Sequence, residues 1–142
     1  MSRVQWDESL SIGIRVIDEQ HQRWIQHLNE VASALESEEG AAHIVKTLGF
    51  LVDYTEYHFT TEEKHMAAHG YPEIEAHRAK HAELKRTLAN LVQEFEEDGA
   101  TQSLADAVDT LLGNWLVKHI REVDQAFGDF LQERDIVLEE GN

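Results

Sequence analysis

Apolar residues recur at steps of three and four along four long stretches of the chain, which is the spacing of one face of an α-helix. The four sets are Trp24, Ile25, Leu28, Val31, Ala32 and Leu35; Ile44, Leu48 and Leu51; Ile74, Leu84, Leu88, Leu91 and Phe95; and Leu104, Val108, Leu111, Trp115 and Phe127. The longer gaps, from Ile74 to Leu84 and from Trp115 to Phe127, are filled by polar residues that continue the same face. Each stretch therefore predicts an amphipathic helix with one buried face.

Three short breaks separate the four stretches. They are Glu38-Glu39-Gly40, Gly70-Tyr71-Pro72 and Asp98-Gly99-Ala100-Thr101. Glycine suits the end of a helix and proline the start of the next, and short connections join antiparallel neighbours. The pattern predicts an all-α, antiparallel up-down four-helix bundle in one domain, 1–142. We expect an irregular N-terminal arm at 1–17, helices at about 18–37, 41–69, 73–97 and 102–127, and a C-terminal tail at 128–142.

Seven side chains able to bind metal interrupt these apolar faces: His21, His58, Glu62, His77, His81, His119 and Asp124. Antiparallel helices bring two residues together only when both lie at similar distances from the connecting turn. His21 lies 17 residues before Glu38 and His58 lies 18 after Gly40, so the two levels agree within a helical turn. The other two turns give overlapping ranges, and all seven groups are predicted to share one layer.

One histidine on an apolar face is usually a hydrogen-bonded core residue, but five at one level with two carboxylates are different. Burying these groups without a counter-charge would be costly, whereas two divalent cations supply that charge. His65 and His69 also follow the second apolar face, and Glu62-x-x-His65 matches one half of a ferritin-like motif. No second such pair occurs, so we interpret both histidines as core or end-of-bundle residues.

The spacing of His119 and Asp124 is unusual. Five residues on a regular α-helix rotate by about 140°, which would place these two side chains on different faces. Either a local widening of the helix, of which a π-bulge is one form, or a sideways approach of one side chain is needed to bring them together.

The number of donors leaves room for one more ligand. Five imidazoles give five bonds, two bridging carboxylates give four, and a shared hydroxide gives two, which makes eleven. Two six-coordinate ions need twelve. The missing bond predicts an open position on one metal, where a small ligand could enter.

Composition narrows the alternatives. The formal net charge of −16 argues against nucleic-acid and anionic-membrane partners, and the absence of cysteine excludes disulfides, iron-sulfur clusters and thiolate zinc sites. The chain has no apolar run long enough for a transmembrane helix and no signal-peptide core at its start, so we expect a cytoplasmic protein without membrane insertion.

These residues resemble the motifs of the hemerythrin family, in particular its single-domain bacterial members, over nearly the whole chain. The segments that carry the likeness are Ile17-Asp18-Glu19-Gln20-His21, His58-Phe59-Thr60-Thr61-Glu62-Glu63, Gly70-Tyr71-Pro72, His77-Arg78-Ala79-Lys80-His81, and the run from Trp115 through His119 to Asp124. The resemblance implies a non-haem di-iron centre with an oxo or hydroxo bridge and dioxygen as its ligand.

The resemblance also assigns the ligands. One iron would be held by His77, His81 and His119, the other by His21 and His58, with Glu62 and Asp124 as bridges. The open position would then lie on the iron of His21 and His58. Trp24, Phe59, Met66, Trp115 and Leu116 are candidates for an apolar surrounding, and Leu116 is the residue we expect to line the dioxygen pocket.

Three functions are compatible with such a site. The first is reversible dioxygen binding for carriage, storage or delivery. The second is an oxygen or redox sensor acting through an unidentified protein partner; the short segment after Asp124 favours a free-standing binder over a fused signalling protein. The third is a di-iron peroxidase or nitric-oxide-handling enzyme, but no general acid or base is evident beside the site, so we expect a binding protein and not an enzyme.

Overall fold

The computed structural model describes residues 4–36 and 40–138, which form a bundle of four helical rods. The first three are α1 (Arg15–Glu36), α2 (Ala41–Ala68) and α3 (Ile74–Asp98). The fourth rod consists of α4 (Gln102–Thr110), two π-helical turns at Leu111–Leu116 and His119–Asp124, and α5 (Gln125–Glu133). Each rod packs on two others, with α1 on α2 and α4, and α3 on α2 and α4. The predicted all-α four-helix bundle is confirmed.

The breaks between helices have the local chemistry that their sequences predict. Gly70 and Gly99 adopt φ angles of 66° and 76°, a region that is accessible to glycine at little cost. Thr101 caps α4 because its hydroxyl oxygen accepts a hydrogen bond from the backbone N–H of Leu104 at 3.0 Å. At the first break, Gly40 immediately precedes α2, whereas Glu38 and Glu39 lie outside the described residues.

Two predicted boundaries are wrong. The arm was expected to extend to residue 17, but α1 already begins at Arg15, and the arm contains a 3-10 turn at Glu8–Leu10. The tail was expected to begin at residue 128, but α5 continues to Glu133. The last helix extends because Phe130 and Leu131 continue its buried face, and Gly128 lies inside it.

The N-terminal arm is part of the core. Leu10, Ile12 and Ile14 are buried, and Asp18 of α1 holds the arm in place through two hydrogen bonds. One oxygen of its carboxylate accepts a hydrogen bond from the Ile12 backbone N–H at 2.9 Å, and the other accepts one from the Ser11 hydroxyl at 2.5 Å. The arm crosses the last helix so closely that a Cβ atom at Gly128 would lie 2.5 Å from the backbone oxygen of Ile12.

We expect Gly128→Ala to destabilise the protein by about 1–3 kcal/mol, because a methyl group there must displace backbone and not a flexible side chain. Gly49→Ala is the matched control: Gly49 also lies inside a helix, but a Cβ there would meet nothing within 4 Å. That change should stabilise the protein by about 0.5–1 kcal/mol. Urea unfolding of both variants measures the difference, and an equal gain at both positions would contradict the close contact.

Candidate metal centre

All seven predicted donors come together in one buried layer. α1 contributes His21, α2 contributes His58 and Glu62, and α3 contributes His77 and His81. The second π-helical turn contributes His119 and Asp124. None of these residues is more than 3% exposed.

The donors form two groups that share their carboxylates. Ligand atoms of Glu62, His77, His81, His119 and Asp124 lie within 4.8 Å of one another, and so do those of His21, His58, Glu62 and Asp124. In this arrangement Glu62 and Asp124 stand between three histidines on one side and two on the other. Such a geometry suits two metal ions with two bridging carboxylates.

The π-helical turn accounts for the five-residue step from His119 to Asp124. At its end, the backbone N–H of Gln125 bonds to the carbonyl oxygen of Ile120, five residues earlier. The wider turn brings residues five apart toward the same face, so that Nε2 of His119 lies 3.2 Å from an oxygen of Asp124. The predicted local widening is confirmed.

The distances between donors match those of ligands around a common ion. Nε2 of His21 and of His77 lie 2.9 and 2.8 Å from the two oxygens of Asp124, and Nε2 of His81 lies 3.2 Å from Oε1 of Glu62. Metal bonds of about 2.1 Å at right angles place neighbouring ligands about 3 Å apart. The spacing therefore leaves each group room for one ion.

The protein alone does not satisfy these atoms. Nε2 of His21, His58, His81 and His119, both oxygens of Glu62 and Oδ2 of Asp124 are buried without a hydrogen-bond partner. Nε2 of His21 lies close to Asp124, but that contact lacks hydrogen-bond geometry. So many unsatisfied buried polar atoms would be costly, and divalent cations would satisfy them together. The residues present fit a pair of ions.

The ionisation of the carboxylates also suits a cation site. Burial and the neighbouring Asp124 raise the pKa of Glu62, but the nearby imidazoles of His58, His77 and His81 outweigh them and lower it to about 2. Burial opposes ionisation of Asp124 too, yet contacts with His119, His21 and His77 hold its pKa well below the usual range. Both groups therefore carry negative charge at neutral pH.

The histidines respond to the same field in different ways. Burial lowers the pKa of His58 to about 3, which keeps its imidazole neutral and able to donate a lone pair. Burial also acts to lower the pKa of His77, but its hydrogen bond to Asp124 and the neighbouring carboxylate of Glu62 raise it to about 9. In the metal-free protein, a proton on His77 thus takes the place of a cation, and metal binding would displace it.

Two residues outside the predicted set orient the ligand rings. The Nδ1–H of His58 donates to Oε1 of Gln20 at 2.7 Å, and that of His81 donates to Oε2 of Glu63 at 2.7 Å. These bonds direct Nε2 of each ring inward. Sequence reasoning missed both residues, although each adjoins a ligand in the chain, Gln20 before His21 and Glu63 after Glu62.

Apolar side chains enclose the layer. Phe59 stacks on His81 with ring centroids 3.7 Å apart, Trp115 stacks on His119 at 4.5 Å, and the Trp24 ring lies 5.1 Å from that of His58. The indole Nε1–H of Trp24 is satisfied by the Thr55 hydroxyl at 2.9 Å. Next to these rings is a small cavity, which among the described side chains is lined by leucine and tryptophan, including Leu116, Trp24 and Trp115. Met66 and Leu116 are both buried.

His65 and His69 belong to neither donor group among the described residues. His65 is buried near the end of α2, His69 is exposed, and their rings are nearly parallel with centroids 6.5 Å apart. Their position fits the interpretation as end-of-bundle residues.

Known proteins with the same features form one family. Residues 12–131 match the sequence model of the hemerythrin HHE cation binding domain. The chain is 38% identical to a bacteriohemerythrin of Stenotrophomonas maltophilia, with 91% of this chain and 82% of that protein covered. It is 31% identical to a bacteriohemerythrin of Methylococcus capsulatus, with 92% and 98% covered.

The fold agrees with these similarities. A crystal structure of wild-type hemerythrin superimposes with a TM-score of 0.76 at 29% sequence identity, covering 90% of this chain and 97% of the other. Sequence and fold thus point to the same family over about nine-tenths of the chain. This chain belongs to the hemerythrin family.

Proposed function

We propose that this protein binds dioxygen reversibly at a di-iron centre and that it is a binding protein, not an enzyme. The observation that carries the proposal is the pair of buried donor groups joined by Glu62 and Asp124. Five imidazoles and two carboxylates form a donor set that suits iron, and the family of the chain supports iron over other divalent metals.

We assign His77, His81 and His119 to one iron, His21 and His58 to the other, and Glu62 and Asp124 to both. The first group then offers five protein donors and the second four. With one shared oxo or hydroxo bridge, the iron of His21 and His58 has one coordination position left. A reduced iron pair would supply two electrons and this open position to dioxygen.

The charge of the ligand set favours binding without permanent oxidation. Only two carboxylates face the pair, fewer than in a ferritin-like site, so the protein stabilises the ferric state less. The electrons can then return as dioxygen leaves. Reversibility therefore follows from the imidazole-rich composition of the layer.

Reversible binding also requires that water stays away from the ligand. The apolar cavity beside Trp24, Trp115 and Leu116 has no polar side chain in its lining, and such a cavity remains dry. Leu116 precedes His119 by about one turn and is buried. We assign it to the wall of the dioxygen pocket.

The cellular role extends beyond these contacts. We propose a cytoplasmic protein that passes oxygen, or a signal from its redox state, to an unidentified protein partner. None of the helices in the described ranges is long and apolar enough to cross a membrane. The strongly acidic chain makes nucleic acid an unsuitable partner.

An optical experiment tests the proposal. The protein is loaded with iron, reduced without oxygen, exposed to air and then flushed with argon. We expect two iron ions per chain and a visible absorption band that appears in air and disappears under argon over repeated cycles. Loss of the band after one cycle, or turnover of added peroxide faster than autoxidation, would instead point to an enzyme.

A further inference from the structure

The two halves of the metal layer differ in what lies behind their histidines. Behind His81, in the three-histidine half, is the carboxylate of Glu63, with Oε2 at 2.7 Å from Nδ1. Behind His58, in the two-histidine half, is the neutral amide of Gln20, with Oε1 also at 2.7 Å from Nδ1. The two hydrogen bonds have the same length, so the charge of the acceptor is the main difference between them.

Glu63 is held in place from α3. Its second oxygen lies 3.4 Å from Nε of Arg78, whose Nη1 donates to Glu75 at 2.7 Å. Arg78 divides its positive charge between two carboxylates, so the group of Glu63, Arg78 and Glu75 keeps a net negative charge. The Glu63 side chain is only 23% exposed, which limits screening of its effect on His81 by water.

A carboxylate that accepts the Nδ1–H of an imidazole increases electron density on the ring and makes Nε2 a stronger donor. A neutral amide does so much less, although it fixes the ring equally well. Resting on the proposed function, we propose that Glu63 and Gln20 widen the difference in metal affinity that five donors against four already give the two positions. Glu63 directs the first ion to His77, His81 and His119, and Gln20 keeps the position of His21 and His58 weaker, so that it fills last and empties first.

The inequality has a functional consequence. The position with the vacancy for dioxygen is then also the one with the less electron-rich ligands, which destabilise its ferric state relative to the other iron. Glu63 and Gln20 are positioning residues in this scheme, because each acts on the metal only through a histidine.

Glutamate and glutamine have nearly the same shape, so exchanging one for the other at positions 63 and 20 tests the effect of charge. Glu63→Gln removes the charge behind His81 but keeps an oxygen acceptor, and Gln20→Glu adds a charge behind His58. Metal-free protein is titrated with Zn²⁺ against a chromophoric chelator to obtain two stepwise dissociation constants. In Glu63→Gln we expect the first constant to weaken by about 10- to 100-fold, with little change in the second. In Gln20→Glu we expect the second constant to tighten and the first to remain.

The location of the first ion is a second measurement. It would not change if Glu63 and Gln20 only stabilised the fold. At one equivalent of Zn²⁺, nitrogen NMR of labelled histidines should show Nε2 shifts at His77, His81 and His119 in the native protein. The double variant Glu63→Gln with Gln20→Glu should move part of the shift to His21 and His58. Glu97→Gln is the control, because it removes a carboxylate from an exposed position near the far end of α3, where Glu97 accepts a hydrogen bond from Gln93, and it should leave both constants unchanged.

The outcomes separate this inference from the proposed function. Binding of two Zn²⁺ ions with the same ratio of constants in native protein and Glu63→Gln would overturn the role of Glu63, as would a first ion on His21 and His58 in the native protein. Failure to bind two ions at all would instead contradict the di-iron site itself. Circular dichroism confirms the fold of each metal-free variant before titration.

Discussion

Asp124→Asn should abolish dioxygen binding and reduce the iron content from two ions per chain to one or none. The carboxylate oxygens of Asp124 lie within 3.2 Å of the Nε2 atoms of three histidines. His21 belongs to one donor group, and His77 and His119 belong to the other. An amide has one neutral oxygen and an NH₂ group, so it cannot bridge two cations as a carboxylate does. Iron analysis and the air-argon optical cycle measure the loss.

The same change should destabilise the metal-free protein by about 3–5 kcal/mol, because it removes one partner from a buried network of charges. Asp129→Asn is the matched control. Asp129 lies in α5, in the same helical rod, is exposed, and accepts a hydrogen bond from Gln125 at 3.0 Å. This variant should keep both iron ions. Two ions and a reversible band in Asp124→Asn would remove Asp124 from the bridging position.

Leu116→Asn should make autoxidation of the oxygenated protein severalfold faster. An amide in the wall of the apolar cavity offers hydrogen bonds to water, and water or protons reaching the ligand release it in reduced form and leave the iron oxidised. The rate is followed as decay of the visible band in air, at a temperature well below the unfolding transition of the variant.

A control is needed because a buried asparagine destabilises any core, here by at least about 2 kcal/mol. Leu104→Asn introduces the same change at a fully buried residue of α4 that does not line the cavity. We expect it to lower the unfolding temperature similarly while its autoxidation rate stays native. If Leu116→Asn unfolds more easily but oxidises at the native rate, the pocket wall lies elsewhere.

The layer of donors could be predicted because its residues recur at helical spacing along the sequence. Each donor occupies an apolar face at helical spacing, and short turns convert sequence distance into height along the bundle. His21 and His58 illustrate this, since their distances from the first turn differ by one residue. Even the irregular step from His119 to Asp124 was visible in the sequence, because its mismatch with the helical period required either a local widening or a sideways approach of one side chain.

Features that depend on contacts between distant segments could not be predicted in this way. The arm is buried through hydrogen bonds from Ile12 and Ser11 to Asp18 and through its crossing at Gly128, and none of these contacts has a period. Gly128 lies inside α5, where glycine is disfavoured, and the close approach of the arm is what requires it there. Gln20 and Glu63 look like ordinary polar residues until the rings of His58 and His81 are placed beside them.

The wide turn at His119–Asp124 also sets the tolerance of the chain to changes in length. One additional residue in that turn shifts the register of everything after it, so Phe127 and Leu131 face the core only because the additional residue is there. Deleting a single residue between His119 and Asp124 could restore a regular helix, yet it would rotate the whole following segment away from its apolar neighbours. Insertions and deletions should therefore be rarer in this turn than in the three connections between the rods. Any change of length in the turn alters both the spacing of His119 and Asp124 and the packing of α5.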